Sequence, residues 1–112
     1  MKYKTELENY FENFSNKNIS KLEEMFSQDI TLKDWNISVS GKENVLDANK
    51  NIFDSVESIK VTPIAFYSNS DTSYAVRILI LVNQTENLNV IDVIDFDDSG
   101  LIKSIVAFKY EN

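Results

Sequence analysis

The chain of 112 residues contains no cysteine and no histidine. Without cysteine it can form no disulfide and no thiolate metal site, and it has no cysteine nucleophile. Without histidine, the Ser–His–Asp triad, the usual zinc sites and the commonest general base near neutral pH are excluded too. Any proton transfer falls to Asp, Glu, Lys or Tyr. Arginine occurs once, as Arg77, and the lysines are scattered singly among carboxylates. With Lys+Arg 11 against Asp+Glu 18 the formal net charge is −7, so the clustered cations that nucleic-acid binding requires are missing. The longest strongly apolar run, Ile78 to Val82, is far below the roughly 20 residues of a spanning helix. The start, Met1-Lys2-Tyr3-Lys4-Thr5-Glu6, turns charged and amphipathic at once, unlike a secretory signal. These exclusions predict a cytoplasmic protein with no nucleic-acid and no membrane partner.

Only two glycines and one proline occur, Gly41, Gly100 and Pro63. Two isolated glycines cannot build a phosphate-cradling loop. What is present suffices for a core: hydrophobic residues make up 43% and aromatics 12%, enough for one domain over residues 1–112. Tyr3, Leu7, Tyr10, Phe11 and Phe14 fall at helical spacing, predicting a first helix over about residues 3–15. After a turn at Ser15-Asn16-Lys17-Asn18, a short second helix carries Ile19, Leu22, Met25 and Phe26, capped by Asn18 or Ser20. An alternating piece follows at 30–35. Ser40 and Glu43 have the spacing of a capping box for a third helix, whose stripe is Val45, Ala48, Ile52 and Val56, widened by Leu46 and Phe53.

From Glu57 on, the period changes to two. Strands are expected over 58–67, 73–83, 88–97 and 101–110, joined by short polar turns as an antiparallel meander. Helices first and strands later predict an α+β domain with helices on one face of a curved sheet, and a cleft between the layers. The other face should carry Arg77, Leu79, Leu81, Ile91, Val93, Lys103 and Ile105. That is too much apolar surface for a solvated face, so a homodimer packed sheet to sheet is expected.

Three side chains stand out chemically. On strand 88–97 Asp92 shares a face with Leu88, Val90, Ile94 and Phe96. A carboxylate there is costly when ionised and must be paired, hydrated or protonated. Asp34 shares parity with Ile30 and Leu32 and stands beside Trp35, although an Asp in a solvent-facing turn fits as well. Tyr10 lies on the apolar stripe of the first helix, where its hydroxyl needs a partner. The acidic run Asp95-Phe96-Asp97-Asp98 lacks the pattern of a calcium loop and reads as hairpin-turn chemistry.

The segments Tyr10-Phe11-Glu12-Asn13-Phe14, Leu22-Glu23-Glu24-Met25-Phe26 and Asp29-Ile30-Thr31-Leu32, then Gly41-Lys42-Glu43, Val90-Ile91-Asp92 and Gly100-Leu101-Ile102, follow a familiar order. In that order and spacing the chain resembles the nuclear transport factor 2-like superfamily, in its bacterial SnoaL-like and ketosteroid-isomerase-like branch. The resemblance covers nearly the whole chain. It implies a cone-shaped α+β barrel (three N-terminal helices on a curved antiparallel sheet), a pocket between the layers and frequent dimers. It also implies proton transfer without cofactor or metal on a small apolar or carbonyl ligand. Asp34 would then stand where the base falls, with Tyr10 and a protonated Asp92 as donors to the enolate oxygen. Trp35, Phe26 and Phe53 are expected as apolar ligand contacts. A non-catalytic ligand-binding or dimerisation module of the same fold is the alternative.

Overall fold

A computed structural model describes residues 1–111. Along the chain run α1 (Lys4–Ser15), α2 (Ile19–Met25), β1 (Phe26–Lys33), β2 (Ser38–Ser40), α3 (Lys42–Ser55), β3 (Ile59–Ser68), β4 (Ser73–Val82), β5 (Glu86–Phe96) and β6 (Ile102–Tyr110). The six strands form one sheet in the order β2-β1-β6-β5-β4-β3. β3 to β6 are the expected antiparallel meander, and β1 joins β6 in parallel. The sheet is not closed: β2 and β3 are its edges. None of the described helices is long and apolar enough to cross a membrane.

Leu7, Tyr10 and Phe11 of α1 and Leu22 of α2 are buried as their periodicity marks; on α3 burial falls on Val45, Leu46 and Phe53, while Ala48, Ile52 and Val56 of the expected stripe are half-buried. The helices pack on the inner sheet face, where Val76, Ile78, Val90, Ile94, Ile102 and Ile105 are buried. α2 is capped by Asn18, whose side chain accepts from the Lys21 backbone N–H. The capping box expected at α3 does not form. Its N-cap is Gly41 at φ +91°, without a side-chain cap bond, because the preceding residue, Ser40, is still paired in β2. β1 also begins earlier than its alternation suggests, directly after α2, with Phe26 and Ser27 both buried.

β6 departs from simple alternation. Ile102 pairs with Phe96 and Ser104 with Asp95, so Lys103 is an extra residue in a bulge. Past the bulge the facing is reversed, and Ile105 and Ala107 turn inward. Ile105, expected on the outer face, is therefore buried; Val106 and Phe108 take its place outside, opposite Val93 and Ile91. A second bulge, at Ile64, follows Pro63 on edge strand β3, the place in a sheet where proline is tolerated.

The turn between α1 and α2 is fastened to the end of α3 by one ammonium group. Lys17, at φ +56°, donates from Nζ to the backbone carbonyls of Phe53 at 2.9 Å, Val56 at 2.7 Å and Glu57 at 3.2 Å. A cation there satisfies free carbonyls and complements the negative end of the helix. Lys17→Met should therefore lower stability by about 1–3 kcal/mol, read as a fall in the urea midpoint with unchanged m-value. An unchanged midpoint would show that these bonds contribute nothing.

Candidate functional site

Between the helical layer and the sheet lies a cavity of about 290 Å³. α1 supplies Tyr10, Phe11 and Phe14; α3 supplies Asn49, Ile52 and Val56; the inner sheet face supplies Val61, Ile78, Val90 and Asp92 among others. The segment linking β1 to β2, Asp34 to Ile37, forms part of its wall.

Tyr10, Asp34 and Asp92 come from a helix, a turn and a late strand, yet all three line this one cavity. Asp92 is 6% exposed. It pairs across the sheet with Val76 on β4 and Ala107 on β6, so its immediate cross-strand neighbours are apolar. Neither its carboxyl nor the Tyr10 hydroxyl has a hydrogen-bond partner among the described residues, whereas the buried Tyr74 hydroxyl accepts from the Tyr3 N–H and donates to the Asp71 carbonyl. Burial, and then the nearby charge of Asp34, push the Asp92 pKa from an ordinary 3.8 up to about 7. Burial, and then Asp92, raise the Tyr10 hydroxyl well above its usual value. At neutral pH both groups can thus present protons to a ligand oxygen.

Asp34 is half-buried and does two things. Its Oδ1 accepts from the backbone N–H groups of Asn36 and Ile37, both at 2.7 Å, and its own N–H donates to the Ile37 carbonyl at 2.8 Å. This is a turn held by the aspartate; its residues line the cavity, while Trp35 and Asn36 are also open to solvent. Trp35 is 40% exposed and lines the same wall. The ammonium of Lys109 lies 5.2 Å from its ring centroid.

Phe26 and Phe53 do not line the cavity, contrary to the ligand contacts expected of them. They stand behind its wall. Phe26 is buried against the Tyr10 ring at 6.2 Å, and Phe53 packs edge-on against Phe14 at 4.8 Å. Both lie on apolar stripes, and a stripe cannot distinguish the lining of a cavity from the layer supporting it.

One buried polar residue of the lining was missed by the sequence reading. Asn49 of α3 is 2% exposed and belongs to the cavity wall. A signal existed: it sits four residues after Val45 and four before Phe53, inside the apolar stripe, as Asp92 sits inside its strand face. The described residues contain no cluster of acidic groups suited to a metal ion. Asp97, in the acidic run, instead holds the β5–β6 turn by accepting from the Ser99 and Leu101 N–H groups.

No curated protein sequence matches the chain. Among solved structures it is similar to a candidate isomerase of the SnoaL-like family from Agrobacterium tumefaciens, with TM-score 0.83, 9% identity and 98% of each chain covered. A candidate ketosteroid isomerase from Kribbella flavida superposes with TM-score 0.77 and 16% identity, over 95% of this chain and 76% of that one. SalBIII, an epoxide hydrolase/cyclase-like enzyme in pyran ring formation of the polyether salinomycin, gives TM-score 0.74 and 18% identity, over 93% and 87%. At such identities these likenesses establish the fold alone. The family model of the SnoaL-like domain matches residues 7–105, nearly the whole chain, and with the helices, open sheet and cavity already described, the chain belongs to the SnoaL-like domain family.

Proposed function

We propose that the cavity catalyses cofactor-free proton transfer, of isomerase or cyclase type, on a small carbonyl compound. The observation that carries this reading is Asp92, a carboxyl on an apolar wall with no hydrogen-bond partner among the described residues, sharing its cavity with Tyr10 and Asp34. Unpaired ionisable groups in a cavity are costly to keep, which makes them candidates for a functional site. Asp34, through the oxygen outside its turn, removes a proton from the carbon next to the carbonyl and returns it to another carbon. Tyr10 and neutral Asp92 donate hydrogen bonds to the oxygen on which negative charge develops. The isomerase and cyclase names of the similar structures support the reaction type. A volume of about 290 Å³ lies at the low end of ligand pockets, roughly 300–1,000 Å³, and suits a compact substrate better than a steroid.

The test is exchange of α-protons for deuterium in a panel of small ketones and enol lactones, followed by proton NMR in D₂O. Catalysed exchange of a panel member is the expected result. No exchange in any of them, with apolar ligands still bound, would leave the second reading, a non-catalytic ligand-binding or dimerisation module. That reading draws on the Asp34 turn, since two backbone N–H groups already give its carboxylate a structural task.

Assembly is part of the proposal. Leu79, Leu81, Ile91, Val93 and Val106 are only half-buried on the outer sheet face, and Phe108 is 55% exposed. A contiguous apolar face of this kind marks an interface. We expect a homodimer packed sheet to sheet, and sedimentation showing only a 12.9 kDa species at micromolar concentration would count against it.

A further inference from the structure

We infer that Asn49 is a ligand-positioning residue, and that the ligand carries a second, neutral oxygen acceptor besides the carbonyl received by Tyr10 and Asp92. Asn49 Nδ2 is fully buried and has no hydrogen-bond partner among the described residues, while the residue lines the cavity. No local task accounts for it. It lies in the interior of α3, where Asn is a poor helix former and where no cap is needed. Leucine has the same branched shape, with bulkier methyl groups, and no stranded donor. A donor this buried meets a ligand oxygen only when the Asn49 side chain turns toward the cavity as the ligand enters, and a donor without a partner gains a hydrogen bond by that turn.

The donor determines the chemistry of the partner. An N–H requires an acceptor, and the neighbouring lining on α3, Ile52 and Val56, offers none. An anionic group is disfavoured by the carboxylate of Asp34 in the same cavity and by a net charge of −7. The acceptor is therefore a neutral oxygen, that of a ketone, ester, ether or hydroxyl group. The substrate class narrows to small dicarbonyls, hydroxyketones, keto-ethers and lactones with further oxygenation. This inference rests on the reading of the cavity as a carbonyl site, and the experiment separates the two.

Wild type and Asn49→Leu are titrated by NMR with two matched pairs of probes: cyclohexanone with 1,4-cyclohexanedione, and 4-cyclohexylcyclohexanone with 4,4′-bicyclohexanone. In one pair at least, the dione should lose about tenfold in affinity in Asn49→Leu, while its monoketone changes less than twofold. The unliganded variant should have a higher Tm, because the stranded donor is gone. In wild type, independently of any variant, that dione should shift the Asn49 side-chain amide resonances and its monoketone should not. Diones and monoketones weakened equally, or a lower Tm with unchanged selectivity, would overturn the inference alone. Failure of all four probes to bind wild type would overturn the carbonyl reading together with it.

Discussion

Asp34→Asn is expected to lower any enolisation rate by about 10²–10⁴-fold, the contribution of a positioned general base. Folding and ligand affinity should change little. The amide keeps the size of the carboxylate, and its oxygen can still accept from the Asn36 and Ile37 N–H groups that now sit 2.7 Å from Oδ1. What it loses is basicity, and the chain has no histidine to replace it. Tyr10→Phe should cost less, because Asp92 still holds the oxygen and the phenyl ring keeps its contacts with Phe11, Phe14 and Phe26. The comparison is of kcat for whichever panel ketone wild type exchanges. Equal rates for wild type and Asp34→Asn would remove Asp34 from the mechanism.

Asp92→Asn should gain stability relative to wild type as the pH rises. With a folded pKa of about 7 against an ordinary 3.8, folding takes up a proton between those values, and each step of pH through that window destabilises wild type. The penalty is absent below the lower value and complete above the upper one. Its full size is on the order of 4 kcal/mol, reduced to the extent that water reaches the carboxyl through the cavity. A neutral amide does not titrate. The buried N–H₂ of the variant carries its own cost, but equally at every pH, so the decisive quantity is the change in the difference between urea unfolding at pH 4.5 and pH 8. A constant difference, or a carbon-detected titration placing Asp92 at or below the roughly 3.9 of a free aspartate, would show the side chain ionised and paired. In the catalytic reading the same ionisation removes a donor, so activity should decline above pH 7.

Much of this was legible because short-range periodicity records which side of an element faces the core. The period-two run around Asp92 placed it inward, and the inward position is what makes it unusual. The helical stripe did the same for Tyr10. Asn49 carried an equal signal in the stripe from Val45 to Phe53, and it was overlooked because polar residues within helices usually face water. Alternation failed at β6. One extra residue, Lys103, reverses the facing of everything after it, and a bulge forms only where a neighbouring strand makes room for it.

By itself, then, the sequence determined the chemistry available and the local facing of most side chains: no thiol, no imidazole, one carboxyl buried on a strand and one tyrosine buried on a helix. It determined the α+β order too, since the change of period after α3 is written in consecutive residues. Only the tertiary structure decided that Tyr10, Asp34 and Asp92 share a cavity, that Phe26 and Phe53 stand behind its wall, and that Asn49 belongs to that wall with its Nδ2 unpartnered among the described residues. The physical reason is that facing is a property of neighbours in the chain, whereas proximity and desolvation are set by packing between elements far apart in it. The raised pKa of Asp92 is itself a product of that packing, made by strands on either side and by a turn nearly sixty residues earlier.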